Sequence, residues 1–579
     1  MEIILAEVLA RITPMTFFRS RRFLIAILLL ISALILLSNL GLRDLWDPDE
    51  TRYAVIAREM RISGDWILPH FNGRIYAEKP PLFFWLVNLS TFVFGQQSEF
   101  AHRLPSALAA LITIYITFLF GERLFNTRVG LVSGLMLATC VFFPQVSRWL
   151  ILDPVFTLFS VLTVFYLYKG FERSEGRRKA YLCAGLFMGL GVLTKGPVAY
   201  VSLLVFFVYA LLVKDVRRFW NRDLLWGFLL SAVLALAWLV PACLKGGENY
   251  TRTVLIWQTI GRIKGADAHT HPESFFFYFL RFPAEFVPWS VLLPAAFVLI
   301  FRSKGVERER FLFLLIWLVI PICFLTLSKG KKDTYLLPFY SAAALMVGAL
   351  WALEDPPAGI RKGMVAGSIF MTSTLLVALV LTLLGLPDRF DPRLHDYRST
   401  GIIICSYLFV GSFLSTFFFI KKWKWASLMS GVIVCLVFHL HLSFFLPREF
   451  NAKRSLKSFS ELILHTMREG DELKTSYFTP PGLLFYTRKN YVEDIRSGKR
   501  FREVMKSPQR MFVVIQKVDL EQINSKNPPE SYVIDERKAG PWKMVLLSNH
   551  PGETTSLAIA EKIDESEGGR QKGFFEKFQ

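Results

Sequence analysis

Apolar runs of membrane-spanning length recur along this chain, and no other feature constrains its fold as strongly. A helix needs about 20 mainly apolar residues to cross a bilayer. Hydrophobic residues make up 53% of the chain, a composition that disordered, fibrous and secreted disulfide-rich proteins do not have. We therefore predict a polytopic α-helical membrane protein. About 13 transmembrane helices are expected, over residues 23–42, 104–121, 129–146, 154–171, 180–194, 197–213, 223–243, 283–301, 311–327, 335–352, 364–386, 400–420 and 426–446.

Positive charge between the runs predicts their orientation. The chain has 67 Lys and Arg against 47 Asp and Glu, a net charge of +20. In a membrane protein such an excess marks cytoplasmic loops, so it does not indicate a nucleic-acid partner. Placing the basic clusters inside puts the N-terminus in the cytoplasm and the C-terminus outside. The clusters are Arg123/Arg128, Arg173/Arg177/Arg178/Lys179, Lys214/Arg217/Arg218/Arg222, Arg302/Lys304/Arg308/Arg310, Arg361/Lys362 and Lys421/Lys422/Lys424.

The first run begins after Arg21 and Arg22 and has no small-x-small cleavage site. A signal peptide has a shorter apolar stretch that ends at such a site. We therefore predict an uncleaved first span, with translation starting at Met1 or Met15.

The chain divides by composition into three predicted regions: a transmembrane domain (1–446), an external α/β domain (447–550) and a disordered tail (551–579). The first external loop covers 43–103. Its apolar run 81–95 is only about 22 Å long as a helix, so we expect it to lie in the membrane interface. The α/β domain is expected to have a helix at 455–468 and strands at 483–487, 511–515 and 542–547.

The sequence DPDETRY at residues 47–53 opens the first external loop. Asp47 is placed to cap a helix, with Pro48 as its first residue and Glu50 completing a capping box. The alternative is functional: the acidic residues of this segment, Asp49 among them, present a carboxylate to an external cavity. Both interpretations stay open from the spacing alone.

Three more charged residues lie at the predicted outer ends of apolar runs. Lys79 follows Glu78 and precedes two prolines, at the expected depth of a lipid phosphate. Asp153 either caps a helix before Pro154 or is an intramembrane acid with a function. Lys195 lies in the turn between two short runs, where its side chain has little room to reach water.

The turn 328–335 (SKGKKDTY) carries three lysines on the predicted outer face, against the usual charge distribution. Arg252, Arg262 and two histidines lie in the external loop 244–282. An anionic ligand outside the membrane accounts for this charge. Carboxylates and cations at one membrane face suit a reaction on a lipid phosphate, because the cations stabilise the leaving phosphate and a carboxylate accepts a proton.

Six motifs in this order resemble bacterial membrane glycosyltransferases of the GT-C fold: DPDETRYAVIAREM, GDWILPHFNG followed by YAEKPPLFFWL, SEFAHRLPSAL, RWLILDP, GLGVLTKGP and KKDTYLLP. The similarity is to the aminoarabinose transferases of lipid A and to the wider group related to protein O-mannosyltransferases. It covers residues 45–340. One motif departs, since aminoarabinose transferases usually have Leu-Pro where this chain has Lys332-Asp333, and the wider group has Asp there.

The resemblance implies roles for ten residues. It makes Asp49 the candidate base or acceptor-positioning group, with Glu50 beside it, and Asp153 a second essential acid facing Asp49 across a cavity. It implies donor-phosphate contacts, and it leaves open whether a divalent metal, zinc or magnesium, is also bound. The phosphate contacts are Lys79, Lys195, Lys331, Tyr335 and Arg52; the metal contacts are Glu78 and His271.

The implied reaction moves a sugar from a polyprenyl-phosphate donor to an envelope acceptor such as lipid A, with inversion. The sugar is 4-amino-4-deoxy-L-arabinose or a hexose. Two alternatives stay open: a protein O-mannosyltransferase-like enzyme, and a non-enzymatic polyprenyl-lipid flippase or transporter. The implied location is the bacterial inner membrane, with the C-terminus in the periplasm.

Overall fold

The computed structural model describes residues 20–172, 175–256, 273–524, 531–539 and 542–551. The described chain forms two compact units. Unit 1 contains residues up to 40, 77–83 and 103–443, and unit 2 contains 41–76, 84–102 and the chain from 444 onward. The predicted start at Met15 and most of the predicted disordered tail lie outside the described residues.

Helices dominate the described chain. In chain order they are α1 (Arg21–Leu37), α2 (Asp49–Ser63), α3 (Leu82–Phe94), α4 (Glu99–Leu124), α5 (Thr127–Thr139), α6 (Phe142–Ser147), α7 (Asp153–Glu172), α8 (Arg177–Lys195), α9 (Val201–Leu212), α10 (Val216–Phe219), α11 (Arg222–Arg252), α12 (Phe277–Glu285), α13 (Leu293–Arg302), α14 (Gly305–Thr326), α15 (Leu337–Ala352), α16 (Ala358–Leu383), α17 (Leu386–Phe390), α18 (Arg398–Ile420), α19 (Lys424–Arg454), α20 (Lys457–Thr466), α21 (Pro481–Tyr486), α22 (Gly498–Met505) and α23 (Lys517–Asn524). The strands are β1 (His70–Phe71), β2 (Arg74–Ile75), β3 (Glu472–Ser476), β4 (Glu493–Ile495), β5 (Met511–Gln516), β6 (Tyr532–Ala539) and β7 (Trp542–Ser548). Short 3-10 helices lie at Pro197–Tyr200, Trp289–Leu292, Asp333–Leu336 and Pro392–Tyr397.

Every predicted apolar run coincides with helix. Among the described residues, eight helices are long and apolar enough to cross a membrane, or nine if a bent pair counts as one span. That pair, Phe277–Glu285 and Trp289–Arg302, bends by 107° at a break that contains Pro288, which has no amide hydrogen to continue the helix. Helices α5 and α9 are shorter than a usual span, and α3, which lies within the predicted interfacial run 81–95, has only 13 residues. A count of thirteen spans stays a prediction.

In unit 1, helices α8 and α11 approach each other very closely at two glycines. A methyl group on Gly185 would lie 2.0 Å from the carbonyl oxygen of Gly227. One on Gly227 would lie 2.3 Å from the carbonyl oxygen of Tyr181. Only residues without a β-carbon permit this backbone contact, which fixes α8 and therefore its last residue, Lys195.

We expect Gly185→Ala to destabilise unit 1, because the added methyl group must push α11 away. Overpacking of this kind costs about 1–3 kcal/mol. Thermal unfolding of the purified protein in detergent measures the effect. Gly363→Ala is the matched control, since its methyl group would lie 3.7 Å from the nearest atom, the β-carbon of Ala295. Equal unfolding temperatures for the two variants would contradict the proposed contact.

The C-terminal part of unit 2 contains a five-stranded mixed sheet in the order β4-β3-β5-β7-β6. Strand β3 is parallel to β4 and β5, and β7 is antiparallel to β5 and β6. The strands at 511–515 and 542–547 and the helix at 455–468 are confirmed. The predicted strand at 483–487 is wrong, because this segment is helix α21, whose Pro481 favours a helical first turn.

Candidate active site

Asp49 is the first residue of helix α2, in unit 2. Its carboxylate accepts a hydrogen bond from the guanidinium of Arg52, one turn later, and its side chain is 38% exposed. The Arg52 guanidinium also lies 5.9 Å from the centre of the Tyr53 ring. Asp49 is therefore a partly exposed carboxylate whose direction is set by a neighbouring cation, as a proton acceptor or a positioning group requires.

Glu50 is buried. Its carboxylate forms an ion pair of 2.8 Å with Arg43 and accepts a hydrogen bond of 3.0 Å from the Trp46 amide. This differs in detail from the predicted capping box, in which Glu50 bonds to the amide of residue 47. A carboxylate enclosed and neutralised in this way supports the loop structurally, so the proposed chemistry below does not use Glu50.

Asp47 does not cap the helix as predicted, since the structure shows no side-chain cap on α2. Its Oδ1 atom accepts hydrogen bonds of 2.7 Å from the Thr51 hydroxyl and 2.7 Å from the Gly482 amide. Its Oδ2 atom is buried and has no hydrogen-bond partner among the described residues. Burial raises the pKa of Asp47 to about 6, against the two hydrogen bonds, which lower it.

Asp47 should make the stability of unit 2 depend on pH. The folded form binds the Asp47 proton more tightly than the unfolded chain, whose ordinary aspartate pKa is 3.8. The stabilisation is therefore complete below that value and is lost as pH rises through about 6. The loss is about 3 kcal/mol at most. Thermal scans between pH 4 and 7 should show the stability difference between wild type and Asp47→Asn falling with pH; a constant difference would exclude Asp47 as the cause.

In unit 1, Asp153 and Lys195 form a largely buried ion pair. Lys195 ends helix α8 and Asp153 begins helix α7, and their charged atoms are 2.5 Å apart. The Lys195 ammonium also lies 4.2 Å from the ring centre of Tyr335 and 5.2 Å from that of Phe156. Asp153 is thus the partner of a predicted phosphate-binding lysine.

Lys195 lines a cavity of about 630 Å³ in unit 1. Glu78, Lys79, Ser328 and Tyr335 also line it. The remaining lining side chains are mostly apolar and come from helices α7, α8, α9, α11, α14 and α15 and from the residues that follow α11. They include Val164, Val192, Val201, Leu204, Val205, Trp238, Leu239, Val254, Trp317, Phe324 and Phe339. Two lysines within a mainly apolar cavity suit an amphiphile with a phosphate on a long hydrocarbon chain.

The structure brings together three of the five predicted phosphate contacts: Lys79, Lys195 and Tyr335. Lys331 is not among the cavity-lining residues; it is 6% exposed, and its ammonium donates a hydrogen bond of 3.3 Å to the carbonyl oxygen of Glu273. Arg52 lies in unit 2 against Asp49. Its predicted phosphate contact stays a prediction, as does the facing of Asp49 and Asp153 across a cavity.

The predicted metal site is only partly described. Glu78 lines the cavity, whereas His271 and Arg262 lie outside the described residues. Within the described part of the chain, no group of three or more His, Cys, Asp or Glu side chains is arranged to hold a metal ion. The metal at Glu78 and His271 therefore stays a prediction, and no step of the reaction below passes through it.

Sequence reasoning missed the apolar lining of the cavity. Trp238, Phe324 and Leu239 lie within predicted spans, where apolar residues that face lipid have the same sequence pattern as those that face a cavity. It also missed Arg43, the partner of Glu50, seven residues earlier in the chain. Opposite charges so near in sequence were a signal that could have suggested this pair.

Several known glycosyltransferases are similar to this chain. The family model of dolichyl-phosphate-mannose-protein mannosyltransferases matches residues 78–244. An undecaprenyl phosphate-alpha-4-amino-4-deoxy-L-arabinose arabinosyl transferase from Enterobacter sp. (strain 638) is 31% identical over 425 residues, covering 71% of this chain and 75% of the relative. A second transferase of this name, from Pseudomonas fluorescens (strain Pf0-1), is 31% identical over 428 residues, covering 72% and 76%.

A solved structure has the same fold. The crystal structure of ArnT from Cupriavidus metallidurans, bound to undecaprenyl phosphate, superposes with a TM-score of 0.75 at 20% identity, covering 91% of this chain and 98% of that one. The fold and the motifs define a glycosyltransferase of the GT-C class, a multi-pass protein of the bacterial inner membrane. More specifically, the chain belongs to the family of undecaprenyl phosphate-alpha-4-amino-4-deoxy-L-arabinose arabinosyl transferases.

Proposed function

We propose that this enzyme transfers 4-amino-4-deoxy-L-arabinose from an undecaprenyl-phosphate carrier to lipid A. The observation that carries the proposal is the apolar cavity with Lys79, Lys195 and Tyr335 in its lining. A long isoprenoid chain fits the apolar walls, and the lysines match the phosphate. The relatives are named for transfer of this sugar from this carrier. An acceptor outside the cytoplasm also agrees with the proposed topology, with the N-terminus inside and the C-terminus in the periplasm.

The transfer is a single displacement. An acceptor oxygen attacks the anomeric carbon on the face opposite the phosphate, so that a new carbon–oxygen bond forms and the configuration inverts. The bond from the anomeric carbon to the phosphate oxygen breaks, and its electron pair leaves on the phosphate. Lys79 and Lys195 stabilise that charge. An ionised phosphate needs no proton to depart, so one carboxylate is sufficient.

The role of Asp49 depends on whether the acceptor group is a hydroxyl or a phosphate. A sugar hydroxyl must lose its proton as it attacks, and Asp49 then accepts it as general base. A phosphate acceptor with a second pKa of about 6 is already an anion near neutral pH, and Asp49 then orients it. A pH profile of turnover without an acidic limb would count against the role of general base, because a base must be deprotonated to accept the proton.

Lipid mass spectrometry of cells with and without the intact gene tests the proposal. We expect the aminoarabinose mass on lipid A to disappear without the gene and to stay absent when Asp49→Asn is supplied in its place. Loss of a hexose from envelope proteins instead would favour an O-mannosyltransferase-like activity, to which the family model over 78–244 is related. If neither lipid A nor protein changes, the proposal is wrong. A divalent metal at Glu78 and His271 is tested in the same assay with a chelator.

A further inference from the structure

Within unit 2, the first external loop is bound to the C-terminal domain by the short helix α21. This helix packs against α2, the helix that begins with Asp49. At the start of the contact, the Gly482 amide donates a hydrogen bond of 2.7 Å to Asp47. The Tyr486 hydroxyl accepts one of 2.8 Å from the Leu45 amide. Both ends of α21 therefore hold the segment that leads into α2.

Gly482 and Asp47 are too close to tolerate a side chain at residue 482. A methyl group there would lie 2.2 Å from the Asp47 Oδ2 atom. Asp47 in turn accepts the hydrogen bond of the Thr51 hydroxyl in the first turn of α2. A displacement of the Asp47 side chain would therefore also displace the first turn of α2, which contains Asp49.

Arg58 makes a second attachment, farther along α2. Its guanidinium, which is largely buried, donates hydrogen bonds to three backbone carbonyls of the C-terminal domain: Leu484 at 3.1 Å, Phe485 at 3.4 Å and Lys489 at 2.7 Å. The guanidinium presents five donors in a rigid planar fork, whereas the three donors of a lysine ammonium radiate from one nitrogen, so lysine does not reproduce this arrangement.

A third attachment is reciprocal. The Asn72 side chain donates to the Val492 carbonyl and accepts from the Val492 amide, both at 2.9 Å. The loop around Asn72 is itself fixed to α2, because Glu59 accepts hydrogen bonds from the Asn72 and Gly73 amides. These three attachments lie before, within and after the 15-residue helix α2, so they hold its whole length against the C-terminal domain.

We propose that the C-terminal domain is a positioning element of the transferase, which fixes the first turn of α2, and so Asp49, through Gly482, Asp47 and Arg58. The inference rests on the proposed role of Asp49. Gly482, Asp47 and Arg58 are positioning residues, since each acts on the chemistry through the placement of another side chain. A shift of about 1 Å in such a group can reduce the rate a hundredfold.

Hydrogen exchange of the full-length protein tests the attachment without an activity assay. Gly482→Ala should raise amide exchange in residues 45–52 about tenfold or more. Gly498→Ala is the matched control in the same domain, because its methyl group would lie 3.9 Å from the nearest atom. Unchanged exchange in Gly482→Ala, or an equal rise in both variants, would overturn the proposal. Arg58→Lys is the second variant, for use if Gly482→Ala fails to fold, and it should raise exchange within α2.

Kinetics then test the positioning role. Gly482→Ala should lower kcat about tenfold to a hundredfold while KM for the donor stays within about twofold, because the cavity residues belong to unit 1. Faster exchange with an unchanged kcat would also overturn the inference. Retained turnover in Asp49→Asn would instead show that the proposed role of Asp49 is wrong. It would not affect the exchange result, so failure of the proposed function can be distinguished from failure of the proposed attachment.

Discussion

Asp49→Asn is expected to abolish sugar transfer while leaving donor binding and the fold intact. Asparagine keeps the size of the side chain and one carbonyl oxygen for Arg52, but it cannot accept a proton and has no charge. Loss of a general base reduces rates by about 10²–10⁴-fold. Single-turnover transfer from a labelled donor measures the chemical step, and a direct binding titration with undecaprenyl phosphate measures the donor site.

Asp65→Asn is the matched control, because this acid lies in the same loop and caps the amides of Ile67 and Leu68 at 3.1 Å. We expect it to change stability slightly and turnover little. If both variants lose turnover equally, the effect belongs to the structure of the loop. If Asp49→Asn retains turnover near the wild-type rate, Asp49 is neither base nor positioning group.

Lys195→Met should impair both donor binding and stability. It removes a cation from the cavity and leaves the Asp153 carboxylate buried without its partner, which typically costs about 3–5 kcal/mol. A charge-assisted hydrogen bond to phosphate is worth about 1.5–3 kcal/mol, so donor affinity should fall about tenfold to a hundredfold. Thermal unfolding and a titration with undecaprenyl phosphate measure the two effects.

The double variant Lys195→Met/Asp153→Asn separates these two effects. It removes the uncompensated charge, so stability should recover while donor affinity stays low. Recovery of donor affinity together with stability would mean that Lys195 serves only to neutralise Asp153. Lys195→Arg, which keeps the charge, should retain more affinity than either variant.

The helical architecture and the polar residues of the cavity were predictable because local sequence marks both, whereas the apolar lining of the cavity was not. Apolar runs give helices wherever they occur in a membrane, and short motifs indicated Lys79, Lys195 and Tyr335. The pairing of Asp153 with Lys195 was not predictable from spacing, since the two residues lie 42 positions apart and meet only through the packing of α7 and α8. The hydrogen bond of Lys331 to the Glu273 carbonyl, 58 residues away, was not predictable for the same reason.

The first external loop shows a different limit of sequence reasoning. The DPDETRY segment has the residues of a capping box, yet Asp47 binds an amide 435 residues later. Sequence rules for helix capping assume that the side chain before a helix bonds to the first backbone amides of that same helix. Here the C-terminal domain supplies the partner instead, and no pattern within the loop indicates it.

The cavity in unit 1 has a consequence for the turnover cycle. In the proposed function its lysines bind the phosphate and its apolar walls bind the hydrocarbon chain, and the sugar-loaded carrier and the spent carrier share both groups. The site therefore retains its own leaving group, and the spent carrier competes with fresh donor as a product inhibitor. The rate of the enzyme in the membrane then depends on how quickly the spent lipid diffuses away and is recycled, and not on the displacement alone.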